Sequence, residues 1–274
     1  MDKERAKGML WGLVVGDCIG SPIQFSGKDT HPWITEVVEC PVFHLPPGYW
    51  TDDSSLAMCI MESYHHRWGY DLQNIADTFL DWYEKGFCSS IDHAFDVGMA
   101  TAQAMEGIRR GKLRNGTEEG QGNGSIMRFA PSYLLAQKEK DSQRVMHEIS
   151  DLTHYSSVVR RVVDRFAGIL DDHFKGQKTG EKSAYSTRAE VNNSGWAVST
   201  LDAALWAFQT TGTFEDGMVA AVNLGGDSDT IGAVYGQLAG AYYGFKEIPS
   251  RWVQAVKDWK RMDRLIDRFL TEVE

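Results

Sequence analysis

Two stretches of this chain place glycine at every fourth position: Gly8, Gly12, Gly16 and Gly20, then Gly232, Gly236, Gly240 and Gly244. On a helix, residues four apart share one face, so each stretch would carry a ridge without side chains. A glycine inside a helix is less favourable than alanine by up to ~1 kcal/mol, a loss offset only if another backbone packs directly on the ridge. The spacing therefore predicts two central, buried helices in mutual or near contact. A membrane reading of such ridges fails, because neither run reaches the ~18 apolar residues of a span and Lys7 and Gln237 interrupt them.

The rest of the chain also reads as helix. Residues 53–68 carry Leu56, Ile60, Tyr64 and Trp68 at four-residue spacing, 72–83 carry Leu72, Ile75, Phe79, Leu80 and Tyr83, and 94–109 and 196–209 follow the same period. Two-residue alternation of β-branched residues is nearly absent. The fold class is therefore expected to be all-α, a compact orthogonal helical bundle. Loops concentrate at 21–50, which holds five of the seven prolines, at 111–124, rich in Gly, Asn and Glu, and at 175–195. No shift of composition marks a boundary, so residues 1–274 read as one domain.

A formal charge of −10, from 28 basic and 38 acidic residues, argues against a general nucleic-acid binder or an anionic-membrane binder, since both rely on positive surface. It suits a soluble protein that gathers cations. Cys18, Cys40, Cys59 and Cys88 lie far apart with no C-x-x-C pair, which indicates neither a zinc ribbon nor a disulfide framework and points to a reducing cytoplasm. The charged start Met1-Asp2-Lys3-Glu4-Arg5 is not a signal peptide.

Chemistry concentrates in two acid-rich helix starts, Thr51-Asp52-Asp53-Ser54-Ser55 and Asp227-Ser228-Asp229-Thr230, the second preceded by Gly225-Gly226. Thr and Asp are ordinary N-caps, but a cap needs one acceptor, and here the excess is duplicated. Carboxylates and hydroxyls are hard oxygen donors suited to Mg²⁺ or Mn²⁺, and the glycine pair is read as clearing space for a ligand. The eight histidines show no zinc spacing, and neither acidic cluster has the glycine and terminal Glu of a calcium loop. Gly122-Asn123-Gly124-Ser125 is a glycine-rich turn of the kind that can cradle phosphate, or simply a flexible turn before a helix. Asp17, inside the first glycine helix, needs a partner or a cation. His154 could be a ligand contact, a base or a satisfied helix-end histidine.

These residues meet a known family. Gly16-Asp17-x-x-Gly20-Ser21, Trp50-Thr51-Asp52-Asp53-Ser54, Phe95-Asp96-Val97-Gly98, Gly122-Asn123-Gly124-Ser125-x-Met127-Arg128-x-x-Pro131, Thr153-His154 and Asn223-x-Gly225-Gly226-Asp227-x-Asp229-Thr230-x-Gly232 occur in the order seen in ADP-ribosylglycohydrolases. The chain resembles the dinitrogenase-reductase-activating glycohydrolases and ADP-ribosyl-acceptor hydrolases over nearly its whole length. The resemblance implies an all-α hydrolase that uses two Mg²⁺ or Mn²⁺ ions to cleave the glycosidic bond between ADP-ribose and an ADP-ribosylated protein or other acceptor. It implies Thr51, Asp52, Asp53, Asp227, Asp229 and Thr230 as metal ligands, with Asp52 also placed at the reacting centre. Gly122 to Ser125 would hold the diphosphate and ribose, His154 would line the distal-ribose pocket, and Trp196 would stack on adenine or serve as an ordinary packed tryptophan.

One position departs from that pattern. Relatives carry a glutamate four residues beyond the second glycine of G-D-x-x-G, and this chain has Gln24. An amide positions water but takes no proton at neutral pH. Three explanations stay open: another carboxylate acts as base, Asp96 foremost; the substrate has a better leaving group; or the protein binds ADP-ribose without turnover. A metal-dependent phosphohydrolase releasing AMP is a further alternative.

Overall fold

The computed structural model describes residues 1–274. Twelve α-helices follow in order: α1 Lys3–Gly20, α2 Asp52–Arg67, α3 Leu72–Lys85, α4 Met99–Arg109, α5 Phe129–Ala136, α6 Ser142–His154, α7 Ser157–Phe174, α8 Ala197–Thr210, α9 Phe214–Val222, α10 Ser228–Tyr243, α11 Ser250–Ala255 and α12 Trp259–Glu272. There is no sheet, only isolated bridges at Cys40–Leu45 and Gly122–Trp196, so the architecture is all-α. No helix is long and apolar enough to cross a membrane.

At the centre α1 and α10 run antiparallel, face to face along the two glycine ridges. A β-carbon on Gly12 would lie 2.1 Å from the carbonyl oxygen of Gly236, and one on Gly16 would lie 2.1 Å from that of Gly232. On Gly240 it would lie 2.1 Å from that of Gly8. No side chain fits between the backbones. The ridge ends functionally at Gly20, whose added β-carbon would meet the backbone of Ser228 and Asp229 at 2.4–2.6 Å, and Ser228 Oγ donates to the Gly20 carbonyl at 2.8 Å. The end of α1 is thereby fixed against the acid-bearing start of α10.

Helices α7, α8 and α9 pack on α10, while α2 packs on α3, α5 and α12. The apolar interior is one continuous cluster from Ala6 to Val273. Outer helices show the amphipathic pattern: α3 begins at Asp71, whose side chain accepts from the Asn74 amide, buries Ile75, Phe79 and Trp82, and stops at Gly86 with φ +70°. Two boundaries differ from the sequence expectation: Gly244 takes φ +88° and ends α10, so the second glycine ridge is helical only to Gly240. Helix over 94–109 begins only at Met99, because Asp96 takes φ +55° and Gly98 becomes the N-cap. Phe95, read as part of the helical period, packs edge-on against Phe43 at 5.1 Å.

Candidate active site

Asp17 sets the position of the first acid cluster. Its carboxylate is fully buried and accepts from the Thr51 amide (3.0 and 3.1 Å), Thr51 Oγ1 (2.9 Å), the Ser54 amide (3.1 Å) and Ser54 Oγ (2.6 Å). Helix α2 is capped from outside, by a residue of α1, and Thr51 makes no side-chain cap of its own. Asp52 and Asp53 are thereby freed from capping. Asp53 Oδ2 has only a share in the Thr51 hydroxyl proton, at 3.2 Å and in competition with Asp17, and its Oδ1 is buried without a partner.

The second cluster is held by a different device. Gly225 and Gly226 both take left-handed φ, +66° and +64°, and the added β-carbons would strike Ser26 O at 2.7 Å and Asn193 O at 2.2 Å. They form a tight turn against two neighbouring backbones and do not line the cleft, which corrects the expectation that they clear room for a ligand. Asp227 follows, its amide bonded to Asn193 O at 2.9 Å and its carboxylate accepting from Asn123 Nδ2. Asp229 and Thr230 lie in the first turn of α10.

Both clusters open into one cleft of ≈ 570 Å³. Asp52, Asp227, Asp229 and Thr230 line it together with Gln24, Asp96, His154 and the turn Gly122–Gly124; Val97 to Thr101 form another wall. Thr51 and Asp53 sit beneath this surface, both buried. Asp96, at the end of its left-handed turn, accepts from Gln24 Nε2 at 3.0 Å. Ser125 is buried with its hydroxyl unpartnered. Trp196 is 43% exposed and outside the cleft lining, but its segment pairs with the glycine turn: Asn123 N donates to Gly195 O, Ala197 N to Gln121 O, and Trp196 Nε1 to Gln121 Oε1, each at 3.0 Å.

The turn itself is built around His154 and Arg128. A β-carbon on Gly124 would lie 2.5 Å from His154 Cε1, so glycine is what admits the imidazole. Arg128, fully buried, donates to the Gly124 carbonyl and to Thr153 Oγ1 (2.7 Å), and lies 4.9 Å over the Phe79 ring. Thr153 Oγ1 in turn meets His154 Nδ1 at 2.7 Å. Burial, with a contribution from Arg128, lowers the pKa of His154 to about 3, so the ring is neutral at physiological pH. The unfolded chain, with an ordinary histidine pKa near 6.5, binds a proton that the folded chain refuses, so stability is lost as pH falls below about 6.5. His154→Gln should flatten this part of the acid decline in Tm; an unchanged pH profile would show that the ring is not held neutral.

The carboxylates shift the other way. Burial, then mutual repulsion, raises Asp52, Asp53 and Asp229 well above the ordinary range; burial raises Asp96 and Asp227 despite their hydrogen bonds. Burial also raises Asp17 to about 6. Five acids around one cleft form a site short of positive charge. No three acidic, histidine or cysteine side chains already stand together as a cation cage. The donor chemistry nevertheless fits a hard divalent cation, and the orphaned Asp53 Oδ1 is a buried lone-pair donor with no hydrogen-bond partner.

Sequence reasoning missed several parts of this site. Phe25 and Met99, two of the most exposed large apolar side chains, line the cleft. The start of α4 faces it with no side-chain cap on Gly98. Only the glycine before Met99 hinted at that helix start.

An all-helical frame with two acid-bearing helix starts around a glycine-lined cleft defines a class of small-ligand enzyme sites rather than a scaffold. The chain belongs to the ADP-ribosylglycohydrolase family, whose sequence profile matches residues 1–274. It is 32% identical to an ADP-ribosylarginine hydrolase of Pseudomonas putida over 92% of this chain and 74% of that protein. It is 28% identical to the ADP-ribosyl-[dinitrogen reductase] glycohydrolase of Rhodospirillum rubrum, over 97% and 96% of the two chains. Among solved structures, an ADP-ribosylglycohydrolase-related protein complex superposes with a TM-score of 0.85 at 34% identity, covering 99% of each chain. The protein is a glycohydrolase of the group that removes ADP-ribose from acceptors.

Proposed function

We propose that the protein hydrolyses the bond between the distal ribose of ADP-ribose and an arginine acceptor, with two Mg²⁺ or Mn²⁺ ions as resident cofactors. The observation that carries this reading is the convergence of Asp52, Asp96, Asp227 and Asp229 on one cleft that no Lys or Arg lines. An ADP-ribosylated guanidinium is cationic, and Asp96, the one cleft carboxylate outside the metal-ligand set, attracts it. Relatives named as ADP-ribosylarginine hydrolases support the same acceptor.

Thr51, Asp52, Asp53, Asp227, Asp229 and Thr230 would hold the cations. When bound, these would neutralise the acid cluster and fix the hydroxyls of the distal ribose. The diphosphate would rest between the turn Gly122–Ser125, through the amides of Gly122, Gly124 and Ser125 since that of Asn123 is taken by Gly195 O, and the uncapped start of α4, with neutral His154 against the distal ribose and Trp196 at the adenine end. Cleavage at an anomeric carbon passes through an oxocarbenium-like state. Water attacks that carbon, Asp96 takes a proton from the water, the carbon–nitrogen bond breaks, and its electron pair leaves with the guanidino group as arginine. Gln24 holds Asp96 as an acceptor through its amide.

Product analysis on arginine- and serine-linked ADP-ribosyl peptides, with and without Mg²⁺, tests the reading. Free ADP-ribose from the arginine linkage, dependent on Mg²⁺, is the expected result. AMP would make the protein a phosphohydrolase, and binding without product would make it a reader of ADP-ribose. A second measurement addresses the cations: Mg²⁺ at 100 times its Kd should add roughly 2.7 kcal/mol of stability. Asp53→Asn and Asp227→Asn should each lose most of that gain; if both melt with wild-type dependence on Mg²⁺, the ligand assignment is wrong.

A further inference from the structure

Phe25 is 70% exposed, yet its backbone is tightly held. Its amide donates to Gly226 O at 2.6 Å, and the Gly226 amide donates back to Ser26 O at 2.7 Å. The residue takes φ +65°, a left-handed conformation that is strained for a bulky side chain. The exposed ring takes no part in the buried core. Gly226 immediately precedes Asp227, and Gln24, immediately before Phe25, holds Asp96. Fixed backbone on both sides thus presents a free aromatic face in the lining of the cleft that contains the acid cluster.

We propose that Phe25 is the platform on which the acceptor's planar guanidinium stacks, an inference that rests on the arginine reading above. An aromatic face is electronegative and attracts a cation most when desolvated. A guanidinium, planar and weakly hydrated, stacks on such a face better than an ammonium. The Asp96 carboxylate, which is not among the metal ligands, draws the cation into the cleft; the ring gives it an orientation that a carboxylate alone does not impose. Trp196 lies outside the cleft lining, at the adenine end in the reading above, so Phe25 and Trp196 serve different ends of the substrate.

The test compares Phe25→Tyr, Phe25→Leu and Phe25→Gly on an arginine-linked ADP-ribosyl peptide, with calorimetry of free ADP-ribose on each variant. Glycine accepts the left-handed backbone and removes only the ring, so that variant keeps its fold. Leucine retains apolar area without a π face. The expected result is a KM raised roughly 3- to 30-fold in the Leu and Gly variants, a smaller change in kcat, and near wild-type KM with Tyr. Affinity for free ADP-ribose should be unchanged throughout. Wild-type KM in the Gly variant, or equal KM for Leu and Phe, overturns the stacking role. A parallel loss of ADP-ribose affinity also overturns it, because the ring would then contact ADP-ribose itself. A wild-type enzyme that releases no ADP-ribose from the arginine linkage is a separate result: it removes the functional reading, and the platform with it.

Discussion

Gly12→Ala is expected to destabilise the protein by about 3 kcal/mol or more, at the upper end of what overpacking does. The added methyl would sit 2.1 Å from the Gly236 carbonyl oxygen, a backbone atom that can yield only if α1 and α10 separate. Helix propensity predicts the opposite sign, since alanine is better than glycine in a helix interior by up to ~1 kcal/mol. Gly168→Ala supplies the control. Gly168 lies in α7, and its β-carbon would meet nothing within 4 Å, so this change should raise stability by ~0.5–1 kcal/mol. Denaturant midpoints of the two variants, moving in opposite directions, are the measurement; movement in the same direction would refute the ridge contact. Loss of activity in Gly12→Ala should follow, because the same contact carries Gly20 to Asp229.

The second large effect is catalytic. Asp96→Asn should lower kcat by roughly 10²- to 10⁴-fold, the usual cost of removing a general base, while ADP-ribose still binds. Gln24→Glu should have a related but distinct effect. It replaces the amide donor, 3.0 Å from Asp96 Oδ2, with a second carboxylate, and two such groups share a proton. Asp96, already raised by burial, would be raised further, so the acidic limb of the rate profile should move to higher pH. Retention of most activity in Asp96→Asn would place the base elsewhere. Turnover gained by Gln24→Glu from an inactive wild type would make the protein an ADP-ribose binder.

The central helix pair was legible because four-residue glycine spacing has few other physical uses, and the sequence already named both partners. The acid clusters were legible as too many carboxylates for two caps. What the sequence could not show was how each cluster is held. Asp17 sits 34 residues before Thr51, and only the tertiary fold reveals that it caps α2 and releases Asp52 and Asp53. Gly225 and Gly226 illustrate the same limit: a Gly-Gly pair reads equally as room for a ligand or as a left-handed turn, and the closeness of Asn193 decides for the turn. Phe25 and Met99 carried no signal at all, since apolar residues beside a helix pattern ordinarily belong to the core. The residues of the cleft come from segments scattered from Gln24 to Thr230, and no local pattern orders them around one space.

The hydrogen bond between Gly20 and Ser228 spans 208 residues of chain, and this has a consequence for biosynthesis. During translation at about 5–20 residues per second, α1 leaves the ribosome on the order of 10 s or more before its partner exists. Throughout that interval its glycine face has no mate, although α2 and α5, which also pack on α1, are made before it ends. Contacts this distant are slow to form once both ends are present. Neither acid cluster can reach the other until synthesis has passed Thr230, so a nascent chain that stops short of α10 cannot assemble the site. Folding yield, more than the stability of the finished molecule, is where sheltering of α1 by a chaperone should matter most.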